Sequence, residues 1–142
     1  FLPAFEKCMR IVKIRWLPVS ILFLAHLFLF HYYFSEIRNR NKLEKQLASW
    51  ISSRPEKILY SFDMDVGIKT YVDGKEFGSM WASVYDSFPV GALVLFNSKK
   101  LEVQWKGRNP MLNWEELEKR YLLTVLKTEV SGWELFRIDG KK

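Results

Sequence analysis

One cysteine, two histidines, seven glycines and five prolines are all that 142 residues contain of these types. A single cysteine excludes an intrachain disulfide and a cysteine-rich zinc site. Both histidines, His26 and His31, fall within one apolar stretch, and everything after residue 35 holds neither histidine nor cysteine. Ser–His and Cys–His nucleophilic catalysis and histidine-ligated metals therefore drop out for that region. Few glycines and prolines, with no low-complexity segment, argue against disorder or a fibrous repeat.

Aromatic residues are plentiful instead: 11 Phe, 6 Tyr and 6 Trp, or 16% of the chain. Twenty-two Lys and Arg against 16 Asp and Glu give a formal charge of +6. The length allows one modest domain plus one appended element. The charge divides as +3 before residue 16 (four bases, Glu6) and +3 over residues 35–142 (18 bases, 15 acids). No concentrated basic patch results, and a nucleic-acid partner is not expected. Lys99-Lys100 and Lys106-Gly107-Arg108 suit loops, where a solvated surface is the first expectation, ahead of contact with lipid headgroups or acidic partners.

From Trp16 to Ser35 no side chain carries a full charge. At 1.5 Å per residue this run measures about 30 Å as a helix, the thickness of a bilayer's hydrocarbon core. Arg15 closes it on one side and Glu36, Arg38 and Arg40 on the other. Trp16, Tyr32 and Tyr33 stand where interfacial aromatics anchor a span. Pro18 falls in the expected first turn, where a missing N–H costs little. The run ends in His-Tyr-Tyr-Phe, without the small-residue site of a cleaved signal peptide. Residues 16–34 are predicted to form a transmembrane helix behind a basic arm, residues 1–15.

Four bases precede the span and four follow it closely, so charge does not set the orientation. The short arm favours an arrangement with the larger domain across the membrane. Phe1 suits a start left by removal of a presequence, and a basic, acid-poor leader before an anchor fits import into the mitochondrial inner membrane. A bacterial inner membrane is the alternative.

His26 lies near the middle of the span, where an ionisable group is costly and points to function. His31, five residues on, projects about 140° away around the helix, so one helix cannot aim both rings at one metal. A hydrogen bond to a neighbouring membrane helix is the expectation for His26, ahead of a lipid-facing ring or a haem ligand.

Residues 35–54 form a charged juxtamembrane helix in this reading. Leu43, Leu47, Trp50 and Ile51 make one apolar stripe at i, i+4, i+7 and i+8, expected to pack against the domain's own core ahead of a separate subunit, and Pro55 ends the helix. Residues 55–142 then form a small α+β domain. Strands are expected at 58–62 and 68–72, a helix at 79–88, a hairpin from 92–96 and 101–105, a helix from Asn113 to Lys127, and a last strand at 133–138. The Asn113-Trp114-Glu115-Glu116 box opens that second helix, with Glu115–Lys119 and Glu116–Arg120 pairs facing water. The order resembles ferredoxin-like βαββαβ, with the first strand region bent or doubled.

Asp63-Met64-Asp65 puts two carboxylates on one face of an extended chain, a pairing that can hold a divalent cation. No Gly-rich phosphate loop accompanies it, and solvated strand-end acids are the simpler expectation. Neither a cofactor nor a metal is expected.

The layout resembles the stator subunits of proton-driven bacterial motors, of the biopolymer-transport ExbD/TolR type. The resemblance rests on residues 54–60 (Arg-Pro-Glu-Lys-Ile-Leu-Tyr), the turn at 71–75 (Tyr-Val-Asp-Gly-Lys) and the strand 93–96. It implies a short arm, one membrane helix and an α+β domain across the membrane. The family's proton-carrying Asp follows a Pro in the membrane helix; here Val19, Ser20 and Ile21 follow Pro18, and the span has no acid. No proton-site residue carries over.

The expectation is a non-catalytic, single-pass accessory subunit of a multi-subunit, energy-transducing complex of the mitochondrial inner membrane. A respiratory-chain complex or ATP synthase fits that description. Its partners would be other membrane subunits and the bilayer with its anionic headgroups, and its docking residues Leu43, Leu47, Trp50, Trp81, Trp105 and Trp133. A stator-like subunit without the proton-site Asp is the alternative.

Overall fold

A computed structural model describes residues 2–142; the side chains of residues 2–6, 8–15, 17 and 127–129, and all of Phe1, lie outside the described residues. The arm's basic groups Arg10, Lys13 and Arg15 are among them. The chain is α+β, with a long apolar amino-terminal helix and a five-stranded mixed sheet. Two compact units divide it, residues 1–40 and residues 41–142.

Helix α1 is continuous over Leu2–Ser52. It begins well before residue 16, so Pro18 lies inside the helix rather than in its first turn, at the cost of one i→i−4 hydrogen bond. Ser53 Oγ donates to the Trp50 carbonyl at 2.8 Å and the Arg54 N–H to Ile51 O at 3.1 Å, closing the helix before Pro55.

The second unit takes in the end of α1 from Asn41, where the sequence places the boundary at residue 55. The apolar stripe explains this. Leu47, Ala48 and Ile51 are buried in the unit's core, and Leu43 and Trp50 pack half-buried against it. Strand β1 (Ile58–Ser61) pairs in parallel with β2 (Glu76–Ser79) and β3 (Leu93–Phe96). Strand β5 (Trp133–Lys141) runs antiparallel to β3 and to β4 (Tyr121–Val130), giving the sheet order β2-β1-β3-β5-β4. All four residues of β3 are buried, as a central strand covered on both faces requires. Short helices α2 (Asp65–Lys69) and α3 (Ser98–Gln104) and the longer α4 (Asn109–Arg120) complete the unit.

This order, β-α-β-β-α-α-β-β after α1, departs from βαββαβ, and four local expectations change with it. The strand expected at 68–72 is replaced by α2 and a turn; Ile68 and Val72 are both buried, four residues apart, a spacing that a helical turn also satisfies. Residues 101–104 are helical and Trp105 follows as the C-cap, in place of the expected second arm of a hairpin. The Asn97 side chain accepts the Lys100 N–H at 3.0 Å and caps α3, so the sequence's turn signal is a helix start.

The helix expected at 79–88 is absent. Asn113 Oδ1 accepts the Tyr85 N–H at 2.9 Å, and its Nδ2 donates to Met80 O at 2.9 Å and Ser83 O at 2.8 Å. That one buried amide satisfies backbone groups a helix would otherwise pair. Asn113 accordingly sits inside α4 rather than at its cap. The helix starts at Asn109 with Pro110 in its first turn and ends at Arg120, seven residues before Lys127. Strand β4 follows at once. It turns into β5 through Ser131 (φ 52°) and Gly132 (φ 81°), two positive-φ residues that give the primed turn favoured by tight hairpins.

Candidate interaction surfaces

Among the described residues, α1 is the one helix long and apolar enough to cross a membrane, and none of its apolar window is buried by the chain. Phe28 is 72% exposed and Phe30 68%, beside Leu22, Phe23 and Leu24. Trp16, Tyr32 and Tyr33 are exposed too, Tyr32 and Tyr33 meeting edge to face at 5.8 Å. Phe30 and Phe34 stack along one side at 5.8 Å. His26 Nδ1 lies 3.0 Å from the Leu22 carbonyl, one turn back. A carbonyl only accepts, so Nδ1 is the donor in this contact, and Nε2 is the ring nitrogen left to meet a neighbour.

The six docking residues singled out from sequence separate in the structure. Leu47 and Trp133 are fully buried and present no surface to a partner. Their apolar area is used inside the core, where the Trp133 ring lies 5.4 Å from Phe62 with the Lys100 ammonium 5.7 Å above it. Leu43, Trp50 and Trp105 are half-buried against the same core. Trp81, 50% exposed, alone of the six keeps a large open face.

Asp63 and Asp65 do not converge. Asp63, at a left-handed φ of 63°, ion-pairs with Lys100, while buried Asp65 accepts the Ser79 hydroxyl at 2.7 Å. The left-handed residue turns the chain between them, so the extended geometry that puts i and i+2 on one face is lost. Among the described residues no group of three or more His, Cys, Asp or Glu is placed to hold a metal ion.

Three shifted groups mark the sheet. Burial pushes the Tyr60 hydroxyl above its ordinary range, with Tyr85, Tyr121 and Glu76 adding to the effect. On the β4–β5 hairpin, hydrogen bonds from Thr124 and then Arg137 hold the Asp139 carboxyl below the usual carboxylate range. Asp139 in turn raises the Arg137 guanidinium.

Sequence reasoning missed a cleft of about 530 Å³ between α3, α4 and the face of β5. Its floor is aromatic. Phe96 and Trp114 stack with ring centres 3.5 Å apart, and Phe136 leans on Trp114 at 5.3 Å. Its rim is acidic, with Glu102 from α3, Glu115 and Glu118 from α4 and Glu134 from β5. Among the described residues no lysine or arginine lines it, and none of the four carboxylates is ion-paired to one. Of the two expected helix pairs, Glu116–Arg120 forms at 2.8 Å, whereas Glu115 faces the cleft. The run Glu115-Glu116-Leu117-Glu118 was a partial signal; Glu102 and Glu134 join it only through the tertiary fold.

No family model matches the chain, and no curated protein or solved structure matches it either.

Proposed function

We propose that the chain is a non-catalytic, single-pass accessory subunit of a multi-subunit membrane complex, working through helix packing in the bilayer and docking of its α+β unit. One observation carries this reading: the surface of α1 from Trp16 to Phe34, crowded with large apolar side chains that no described residue covers. In water such a surface would cost about 25 cal/mol for each Å² left wet, so it calls for lipid or protein around it. An inner-membrane location is supported by the basic arm, whose bases outnumber its acid four to one before the apolar run. That pattern favours the mitochondrial inner membrane and an energy-transducing complex within it.

The non-catalytic part of the proposal is supported by chemistry. Both histidines lie in the apolar run, and the two clustered aspartates are committed to Lys100 and Ser79. The test is extraction of the chain in mild detergent and identification of what migrates with it. Stoichiometric companions that themselves span the membrane are the expected result. A stable monomer without companions contradicts it, and a dimer held on a multi-helix ion channel would favour the stator-like assignment instead.

A further inference from the structure

The cleft over Phe96, Trp114 and Phe136 inverts the charge of the chain around it. The protein carries a formal +6, yet among the described residues the lining of this aromatic floor holds four glutamates and no base. A hydrated metal ion would use the carboxylates but gain nothing from the rings; a neutral apolar ligand would leave the carboxylates stranded at its edge. An anionic ligand is repelled. What satisfies both parts is a ligand with an apolar face flanked by cations.

The shape narrows the choice further. Met111, Trp114, Glu115 and Glu118 stand at i, i+3, i+4 and i+7 of α4, one face over two turns, roughly 10 Å long. Glu102 and Leu101 of α3 and Glu134 and Phe136 of β5 line the cleft beside them. A trough of this kind, apolar below and charged along both lips, accepts an amphipathic helix laid lengthwise.

We infer that this cleft is a docking site for a basic amphipathic helical segment of a partner chain. Leu or Phe side chains of the segment rest on half-buried Met111 and on the narrow exposed edges of Trp114 and Phe136, and its Lys or Arg residues pair with Glu102, Glu115, Glu118 and Glu134. The inference deepens the docking reading above and rests on it. It concerns one surface only, so binding by the isolated chain and companions in a detergent extract are separate readouts, and either can fail without the other.

The test uses the full chain in nanodiscs of zwitterionic lipid, with empty nanodiscs as the baseline. The probe is a fluorescein-labelled, amidated 16-residue helical peptide with Leu at i, i+3, i+4 and i+7 and four flanking Arg. A twin peptide carries Glu in place of Arg. Fluorescence anisotropy should show saturable binding of the Arg peptide and none of the Glu peptide, and binding should weaken as salt rises. The variant E102Q/E115Q/E118Q/E134Q should lose about tenfold or more in affinity, while E76Q/D86N, acids outside the cleft, should not change it. Should the quadruple variant not fold by circular dichroism, E102Q/E115Q/E118Q, all exposed positions, serves in its place. Absence of binding to the wild-type chain overturns the inference. So does undiminished binding to the Gln variant, or equal binding of the Glu peptide.

Discussion

The Glu44 carboxylate rests directly on Gly67: a Cβ built at position 67 would fall 2.1 Å from the Glu44 carboxyl carbon. Glu44 is buried near the end of α1, and Gly67 is the middle residue of α2. The absence of a side chain at 67 is what lets the final turns of α1 lie close enough to bury Leu47 and Ile51. An alanine there gains about 1 kcal/mol of helix propensity but must displace a buried carboxylate. Gly67→Ala should therefore lower stability by about 1–3 kcal/mol. In a Glu44→Ala background the obstacle is gone, and the same change should be neutral or slightly stabilising. Thermal unfolding of the four members of this cycle checks it. Equal effects in both backgrounds would show that the contact does not matter.

Asn113 makes the corresponding prediction for the loop that follows β2. Its amide forms three hydrogen bonds to Met80, Ser83 and Tyr85, and Asn113→Ala leaves those backbone groups unpaired at a buried site. A loss of about 2–4 kcal/mol is expected, with faster amide exchange at Tyr85. Asn113→Asp keeps the acceptor for the Tyr85 N–H but not the two donors, and should fall between.

The same residue shows how far the sequence could be read. The apolar run of α1, the stripe that ends it, and strands at 58–61, 93–96 and 133–138 were visible because each has strong local periodicity or a solid apolar core. Segment 79–88 has helical spacing, yet a side chain 28 residues away takes over its backbone pairing. Leu101, Val103 and Trp105 alternate like a strand, but only Leu101 is buried, and the Asn97 cap settles the conformation. In β4, Tyr121 accepts the Phe88 N–H at 2.9 Å, a long-range bond that helps end α4 early. The acidic cleft stayed hidden for the same reason, since it is assembled from separate elements between Phe96 and Phe136.

His26 gives a prediction for the apolar helix. With Nδ1 donating to Leu22 O, Nε2 is the ring nitrogen available to a neighbouring helix. If a neighbouring helix supplies a donor, His26→Leu should loosen assembly by about 0.6–2 kcal/mol. His26→Asn, which retains an acceptor, should restore part of it. Retention of companion subunits over a detergent series reads the difference, and equal retention for all three chains would place the ring against lipid.

Acid should act on the β4–β5 hairpin through Asp139. Its carboxyl titrates below its unfolded value, so the folded state binds this proton less readily than the unfolded state. The stability it contributes is complete above the unfolded carboxylate pKa and disappears as pH falls through the lowered folded value. Asp139→Asn removes that increment. The variant should be less stable than wild type at neutral pH and converge with it in acid, as unfolding midpoints from pH 7 to pH 2 will show. A gap that stays constant across this range would assign the loss to packing.

The exposed apolar face of α1 is most directly tested by alkaline carbonate extraction of membranes from cells making the full chain. A helix embedded in the hydrocarbon core resists this treatment, and the protein should remain in the membrane pellet and leave it only with detergent. Recovery of the folded chain in the soluble fraction without detergent would contradict membrane insertion, and with it the proposal that the chain works as a membrane subunit.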